Sequence, residues 1–300
     1  MVCGTTAMII RVAEAFSEKS TVLFVDEAGT VDQANVAAVL AQVGSIKKLV
    51  VVGDSRQLQV YNRGVPEVML DMGHRSILSI LQQNKSRGIL QIAFQYTFRF
   101  YPLLVPLIAK TCYKGMVLKT NVTAEERKGF SGIFALHSQV PAFIINVTGG
   151  EEKSFPTSSK NSTQTNTVCS LVNGIRKRNT SFKIGVISLY NGQKDELYEA
   201  IKNKNNVKIS SVDSFQGREA DIIIIVTTRT SNTEENYFFN LEERITVAMT
   251  RVQRGVIIVG DLNAVQNAPG WRNIVNEFKD LNAIYKEIPF KCYASAAAKK

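Results

Sequence analysis

The chain has 300 residues, of which 45% are hydrophobic and 21% charged, a composition typical of a globular protein with about two domains. Its net charge of +10 favours a polyanionic partner such as nucleic acid. The apolar runs, such as residues 222–226, are far too short to cross a bilayer, and the apolar stretch at residues 7–10 lacks the flanks of a signal peptide. We therefore expect no membrane association and an intracellular protein, cytoplasmic or nuclear.

The cysteines argue against a zinc site. None of them stands at metal-ligand spacing from another cysteine or from the histidines at positions 74 and 137. We predict that they are core thiols of a protein in a reducing compartment; they are Cys3, Cys112, Cys169 and Cys292.

Short apolar runs alternate with helical patterns along the chain. The runs are rich in β-branched residues and apolar on both faces, as in parallel strands covered by helices. Apolar side chains between them recur at spacings of three and four, which predicts helices. The predicted strands are 22–25, 49–52, 142–147, 184–188, 222–227 and 256–259, and the clearest predicted helices are 166–178, 192–202 and 241–251. This alternation predicts an α/β fold with open parallel sheets. The polar residues 148–166 are predicted to form a loop.

Two carboxylates follow the first predicted strand. Thr21-Val-Leu-Phe-Val25 runs into Asp26-Glu27-Ala28-Gly29, which has the form of a Walker B strand. Parallel sheets bind ligands at the carboxyl ends of their strands, where Asp26 would hold Mg²⁺ and Glu27 would polarise an attacking water. An ordinary strand that ends in an acidic turn is the alternative.

The second predicted strand ends in a similar way, in Gly53-Asp54-Ser55-Arg56-Gln57-Leu58. Gln57 would reach a γ-phosphate or its attacking water. A Gly-Asp turn is common by itself. The two strand ends, at Asp26 and Gly53, are 27 residues apart, which leaves room for a βαβ crossover.

Six motifs follow one another in the order found in a known family. They are Asp26-Glu27-Ala28-Gly29, Gly53-Asp54-x-x-Gln57-Leu58, Phe98-Arg99-Phe100-Tyr101-Pro102, Tyr190-Asn191-Gly192-Gln193, Val212-Asp213-Ser214-Phe215-Gln216-Gly217-Arg218-Glu219 and Val247-Ala248-Met249-Thr250-Arg251. Over roughly residues 3–262, the chain resembles the superfamily-one helicases of the up-frameshift type.

The resemblance implies RecA-like parallel sheets with helices on both faces. Residues 1–92 would be a truncated first motor domain, residues 93–290 a complete second one, and residues 291–300 a disordered tail. It also implies ATP and Mg²⁺ as cofactors and single-stranded nucleic acid, RNA rather than DNA, as partner. A protein partner that supplies regulation or the missing segment would also fit.

The resemblance assigns catalytic roles residue by residue. Asp26 would hold Mg²⁺, Glu27 would act in catalysis, and Gln57 would sense the γ-phosphate. Arg99 would face that phosphate from the second domain, and Arg251 would be the arginine finger that stabilises the transferred group.

The motif around Arg99 departs from the family pattern Tyr-Arg-Met-His-Pro. Phe98, Phe100 and Tyr101 replace the family's tyrosine, methionine and histidine, while the proline is kept. A competing register starts at Gln95-Tyr96 and puts Thr97 where arginine belongs.

Further residues are assigned to the cofactor and to nucleic acid. Gly217 and Glu219 would lie near the nucleotide, with Glu219 approaching the ribose, and Arg244 matches another motif arginine with a nucleotide-side or structural role. Residues at the start of the same long motif would lie towards nucleic acid; they are Ser211, Val212 and Asp213.

A small-hydroxyl motif near the N-terminus, Cys3-Gly4-Thr5-Thr6, resembles a family segment that contacts the nucleic-acid backbone. The alternative is that Thr5 or Thr6 simply caps a helix over residues 7–16.

One family motif is missing from these residues. The sequence contains no Gly-Lys dipeptide, and therefore no P-loop of the form G-x-x-x-x-G-K-[ST]. We expect very weak ATP binding and no useful hydrolysis by this chain alone, and interpret it as the C-terminal part of a longer helicase. The retained Asp26, Glu27, Gln57 and Arg251 favour that interpretation. A retired pseudo-helicase that binds nucleic acid or a protein is the alternative, favoured by the basic charge.

Overall fold

The computed structural model describes residues 1–62, 64–84, 88–154, 158–231 and 237–292. The chain divides into two units, Met1–Ala93 and Phe94–Lys300, which are called unit 1 and unit 2 below. Most of the predicted tail, residues 293–300, lies outside the described residues.

Unit 1 contains two parallel strands, β1 (Val22–Val25) and β2 (Lys48–Val51). Val22 lies opposite Lys48 and Val25 opposite Val51. Both strands lie within one residue of their predicted bounds. The helices of this unit are α1 (Thr6–Arg11), α2 (Gln33–Gln42), α3 (Glu67–Met69) and α4 (Ile77–Gln83).

Helix α2 connects the two strands and packs on one side of them. Its N-terminus is capped by Asp32, whose Oδ1 accepts a hydrogen bond from the backbone N–H of Asn35 at 2.7 Å. Val36 of this helix is buried in a cluster with Val25 of β1. Side chains alternate along a strand, and Phe24 on the other side of β1 is 70% exposed. The small core of unit 1 therefore lies on one side of its strand pair.

Unit 2 contains the remaining elements. Its strands are β3 (Tyr96–Thr97), β4 (Lys119–Thr120), β5 (Ala142–Asn146), β6 (Glu151–Ser154), β7 (Ser158–Asn161), β8 (Ile184–Ser188), β9 (Val207–Ser211), β10 (Ala220–Val226), β11 (Val252–Gly260) and β12 (Ile284–Tyr285). Its helices are α5 (Leu104–Cys112), α6 (Phe130–Ile133), α7 (Ser162–Arg178), α8 (Asn191–Ala200), α9 (Val212–Phe215), α10 (Glu242–Met249), α11 (Leu262–Val265) and α12 (Pro269–Asp280).

Within the described residues, unit 2 is organised around a six-stranded parallel sheet in the order β12–β5–β11–β10–β8–β9. Residues 222–226 of the central strand β10 are all fully buried. Successive side chains of a strand point to opposite faces, so both faces of the sheet are covered. This confirms the predicted α/β fold with a parallel sheet that is covered on both faces.

The prediction of a polar loop at residues 148–166 is wrong. Strands β6 and β7 form an antiparallel hairpin there, and α7 begins at Ser162. The reason is a set of long-range polar contacts. Arg229 pairs with Glu151 of β6 at 3.0 Å, and the fully buried Asn161 caps α7 by accepting a hydrogen bond from the N–H of Gln164 at 3.0 Å.

The prediction of core thiols holds for one cysteine. Cys112 is buried in α5, Cys169 is half-buried, and Cys3 and Cys292 are exposed. In the part of the chain that the structure describes, no helix combines the length and the apolar character needed to cross a membrane.

Candidate functional site

The strands of the parallel sheet in unit 2 all begin at one end of the sheet and finish at the other end. We call the end where the strands begin the amino edge and the end where they finish the carboxyl edge. Glu219 directly precedes β10 and Arg251 directly precedes β11, so both lie at the amino edge. Ser211 is the last residue of β9 and lies at the carboxyl edge. The predicted site residues of unit 2 are therefore divided between opposite ends of the sheet.

Arg99 and Glu219 form an ion pair at the amino edge. Arg99 Nε donates to Glu219 Oε2 at 2.8 Å, and Arg99 Nη1 donates to the backbone oxygen of Thr250 at 2.9 Å. The two side chains are 31% and 46% exposed, so the pair faces solvent in unit 2. Two residues assigned to the nucleotide from separate motifs are thus brought together.

Gln253 completes this cluster and was missed in the sequence. Its Nε2 donates to Glu219 Oε1, and its backbone oxygen accepts a hydrogen bond from the N–H of Tyr101 at 2.7 Å. Gln253 belongs to no motif that we recognised. The pairing of Ala220 with Val252 in β10 and β11 brings it beside Glu219, so only the strand register could have identified it.

The environment of Glu219 favours its charged form. Burial raises the pKa of this carboxyl, but the hydrogen bond and charge of Arg99, with the hydrogen bond from Gln253, outweigh burial and hold the pKa below its ordinary value. Glu219 is therefore an ionised acceptor at neutral pH, suited to receive hydrogen bonds from hydroxyl groups.

Arg251 lies two residues beyond the end of α10 and is only 2% exposed. Its Nε donates to the backbone oxygen of Val247 at 3.1 Å and its Nη2 to Thr250 Oγ1 at 3.0 Å. Within unit 2 the guanidinium therefore supports the turn whose Thr250 oxygen holds Arg99. Its predicted role as a finger stays a prediction, as does the role of Gly217, which adopts a φ of 72°.

Arg244 lies in the first turn of α10, at the carboxyl edge, and the structure does not bring it to the Arg99–Glu219 pair. It forms a bidentate pair with Asp213, with both nitrogen–oxygen distances at 3.0 Å, and its guanidinium lies 3.8 Å from the centroid of the Phe238 ring. The structure thus joins a residue predicted for the cofactor to one predicted for nucleic acid.

The three residues predicted to lie towards nucleic acid differ in accessibility. Ser211 caps α9, with Oγ accepting from the N–H of Ser214 at 3.4 Å, and Asp213 is exposed. The side chain of Val212 is buried. Only the backbone of Val212 would be able to contact a ligand.

In unit 1, the loops after β1 and β2 pack against each other. The N–H of Ala28 donates to the oxygen of Val52 at 3.0 Å, and the N–H of Val60 donates to the oxygen of Gly29 at 2.8 Å. A Cβ on Gly29 would lie 2.8 Å from the backbone oxygen of Leu58, so only glycine permits this approach. The predicted Walker B residues and the Gln57 segment therefore share the carboxyl end of the strand pair.

The side chains at this end are arranged by short local contacts. Asp26 is exposed, and its Oδ1 accepts a hydrogen bond from the N–H of Glu27 at 2.8 Å. Glu27 has a positive φ of 49°, a strained conformation for a residue with a side chain, and such strain is frequent at functional sites. Gln57 Nε2 donates to Asp54 Oδ2 at 2.7 Å.

Asp26 fits Mg²⁺ as one carboxylate ligand. In the described residues, no group of three or more histidine, cysteine, aspartate or glutamate side chains is placed to hold a metal. Mg²⁺ bound with a nucleotide usually takes one or two carboxylates and completes its shell with phosphate oxygens and water. An exposed carboxylate at a strand end fits that requirement.

At the N-terminus the structure supports the capping alternative for Thr5. Its Oγ1 accepts a hydrogen bond from the N–H of Met8 at 3.3 Å, and α1 begins at Thr6. This contact occupies the Thr5 side chain, while the predicted nucleic-acid role of both threonines stays a prediction.

Comparisons with known proteins agree with these motifs. A family model described as an AAA domain matches residues 74–263, and a second model with the same description matches residues 2–89. The putative regulator of nonsense transcripts 1 of Takifugu rubripes is 34% identical over 205 residues, which cover 64% of this chain and 18% of the relative. The ATP-dependent helicase upf1 of Schizosaccharomyces pombe is 29% identical over 253 residues, covering 78% and 26%. The chain therefore spans about a quarter or less of these relatives.

Solved helicase structures align at low identity. The Arterivirus nonstructural protein 10 helicase aligns with a TM-score of 0.38 and 15% identity, over 81% of this chain and 40% of the other. The C-terminal domain of a possible DNA helicase from Lactobacillus aligns with a TM-score of 0.37 and 11% identity, over 64% of this chain and 99% of the other.

Proposed function

The chain belongs to the AAA-domain family and is a superfamily-one helicase segment of the up-frameshift type, and from that membership we propose that it is the C-terminal part of an ATP-dependent motor. The proposed partner is single-stranded nucleic acid, RNA in preference to DNA, and the proposed cofactors are ATP and Mg²⁺. We assign unit 1 to part of the first motor domain and unit 2 to the second.

The Arg99–Glu219 ion pair is the observation that carries this proposal. The two residues are 120 positions apart, yet they meet at a partly exposed strand end with Gln253 and the oxygen of Thr250. A guanidinium at such a place can exchange a carboxylate partner for a phosphate, because the same fork geometry suits both. The freed Glu219 carboxylate can then accept hydrogen bonds from ribose hydroxyls.

Unit 1 would supply the hydrolytic groups of the motor. Asp26 would contribute one carboxylate ligand, and Mg²⁺, when bound with a nucleotide, offsets the charge of the phosphate oxygens. Glu27 would orient the attacking water and accept its proton, and Gln57, held towards the same strand end by Asp54, would contact the γ-phosphate. These roles are parts of the proposal.

ATP hydrolysis by the purified 300-residue chain, with and without single-stranded RNA, tests the proposal. Because these residues contain no Gly-Lys dipeptide, we expect no RNA-stimulated turnover above background, while RNA still binds at low salt. The assay includes Glu27→Gln and, as a matched control for the removal of one carboxylate, Glu18→Gln at an exposed position of unit 1.

Two results would oppose parts of the proposal. RNA-stimulated turnover that Glu27→Gln abolishes and Glu18→Gln leaves intact would show that this chain works as a motor without the P-loop. Absence of RNA binding even at low salt would contradict the nucleic-acid partner.

A pseudo-helicase that only binds nucleic acid or a protein is the second candidate, and the net charge of +10 favours it. It predicts RNA binding that ignores nucleotide. Because this chain alone is expected to bind ATP only weakly, the binding assay is repeated with ATP and Mg²⁺ raised to concentrations that offset the weak binding. A motor segment then changes its RNA affinity with nucleotide, and a pure binding module does not.

A further inference from the structure

A basic pocket lies at the amino edge of the sheet in unit 2, beside the Arg99–Glu219 pair. Its volume is about 380 Å³, and it opens between the beginnings of β8, β9 and β10. Four cationic side chains line it, Lys183, Lys204, Lys208 and Arg218. The sequence motifs assign a ligand to one residue of this lining, Glu219, for the ribose of the nucleotide, and they assign none to the four cations.

The positive charge of the pocket is largely uncompensated. Among the described residues, none of the four cations forms an ion pair. Glu219 is the one carboxylate in the lining, and Arg99 already neutralises it at 2.8 Å. The pocket therefore attracts anions, and an anion that enters it meets no unpaired negative charge in its lining.

Hydrogen bonds from neighbouring segments hold the loop that carries Lys204. Arg176 of α7 donates through Nη1 to the backbone oxygens of Asn203 and Asn205, both at 2.9 Å. Asn206 Nδ2 donates to the oxygen of Thr180 at 3.3 Å, and the N–H of Ile184 donates to the oxygen of Asn206 at 2.8 Å. The rim is thus preorganised, which lowers the entropic cost of binding a ligand.

An exposed aromatic ring lies next to the cations. The ring of Tyr198 on α8 is 58% exposed, and Lys204 Nζ lies 4.3 Å from its centroid. The floor of the pocket is apolar, formed by Val207, Phe215 and Ala220. Lys204 covers one face of this ring, so a base would stack on the other face. Cations for phosphates, an exposed aromatic ring and an apolar floor are the combination used to bind single-stranded nucleic acid.

We propose that this pocket binds the phosphate backbone of single-stranded nucleic acid, with one base stacked on Tyr198, at the end of the sheet opposite Ser211, Val212 and Asp213. The choice of ligand rests on the nucleic-acid partner of the proposed function. The location, a second binding surface at the amino edge, goes beyond it. A lysine on an edge strand such as β9 also blocks pairing with other chains, but that role does not require four cations around one pocket.

The test is fluorescence anisotropy with a labelled oligouridine at several salt concentrations, using the full chain. Lys204→Gln/Lys208→Gln removes two cations that would each neutralise a phosphate. Its matched control is Arg272→Gln/Lys279→Gln, which removes two exposed cations from α12. Arg218→Gln is a second pocket variant on a different segment, and thermal melting verifies that each variant is folded.

We expect the slope of log affinity against log salt to fall by roughly 1.4 in magnitude for the pocket double variant, about 0.7 for each phosphate that is no longer neutralised, and to stay unchanged in the control. Arg218→Gln should lower it by about 0.7. Tyr198→Ala should weaken binding at least about fivefold, while Tyr61→Ala, which removes an exposed ring from unit 1, should not.

Three outcomes would overturn the inference. Equal slopes in pocket and control variants, with normal wild-type binding, would reject the pocket and leave the nucleic-acid partner standing. Equal competition by polyglutamate at matched charge would mark a general site for acidic chains. A wild-type chain that fails to bind oligouridine at low salt would reject both the pocket and the proposed partner.

Discussion

Arg99 and Glu219 form an ion pair whose strength depends on pH. Arg99 is held by Glu219 and by the oxygen of Thr250, and its own backbone oxygen accepts a hydrogen bond from Arg127 Nε at 3.2 Å. Partial burial raises the pKa of Glu219, but Arg99 and Gln253 together lower this pKa by a larger amount, so the net shift is downward. A carboxyl with a lowered pKa stabilises the fold above its unfolded value, 4.5, and this contribution disappears as the pH falls through the lower folded value.

We therefore predict that Glu219→Gln destabilises the protein at pH 7 by no more than about 1 kcal/mol, because the pair is half exposed. The difference from wild type should shrink below pH 4.5. Urea unfolding at pH 7 and at about pH 3.5 measures it. Glu199→Gln, an exposed carboxyl on α8, corrects for the change of net charge. A difference that grows in acid would contradict the lowered pKa.

Arg251 should contribute to stability as well as to any role at a nucleotide. Its side chain is buried and donates to the Val247 oxygen and to Thr250 Oγ1. We predict that Arg251→Ala lowers the free energy of unfolding by about 2–4 kcal/mol, because the Val247 and Thr250 oxygens each lose one donor and a void is left. Denaturant unfolding checks this. Arg272→Ala on the exposed side of α12 should change stability by less than about 0.5 kcal/mol, and an equal effect of both variants would refute the structural role.

At the scale of elements, the apolar strands could be predicted from the sequence, whereas the polar β6–β7 hairpin could not. Strands β1 and β8 were predicted with their observed bounds, because runs of β-branched and other apolar residues leave little ambiguity. The β6–β7 hairpin was missed, because its residues are polar and it is held by Arg229, far away in the sequence. Helix α12 was missed although its signals were present, Pro269 in the first turn and buried residues at 271, 274, 275 and 278.

In the candidate site, some residues could be predicted from the sequence and others could not. Motif residues such as Arg99 and Glu219 could be named from the sequence, and they do meet. The position of Arg244 could not be predicted, because a motif gives spacing along the chain and not the edge of the sheet at which a side chain lies. Gln253 required the register of two strands.

The hairpin and α7 depend on one buried amide. Asn161 caps α7, and its Nδ2 donates to the oxygens of Gly149 and Thr228 at 2.9 and 3.0 Å. We predict that Asn161→Ala costs about 2–4 kcal/mol, more than the roughly 1 kcal/mol typical of a removed cap, because two carbonyls also lose their donor. Thr5→Ala, which removes the cap of the exposed helix α1, is the comparison. Thermal unfolding that ranks the two variants equally would contradict this view.

At the scale of the whole molecule, the two units differ in their capacity to fold alone. Unit 2 has a six-stranded parallel sheet buried on both faces, among the described residues. In unit 1, the parallel pair of β1 and β2 leaves Phe24 largely exposed, although parallel strands are normally covered on both sides.

We predict that residues 94–300 expressed separately unfold in a cooperative thermal transition and that residues 1–93 expressed separately do not. Circular dichroism melting of the two fragments measures this. A cooperative transition in residues 1–93, or its absence in residues 94–300, would contradict the conclusion that unit 2, and not unit 1, has a core sufficient for folding alone.

Helix α10 connects the two ends of the sheet in unit 2. Its first turn carries Arg244, which grips Asp213 at one end of the sheet, and its last turn leads to Thr250, whose oxygen holds Arg99 at the other. Eight helical residues span about 12 Å, and the buried side chains at 245 and 247–249 fix the helix against its neighbours. The Arg244–Asp213 pair and the Arg99–Glu219 pair are therefore connected through one short, packed helix rather than through a loop.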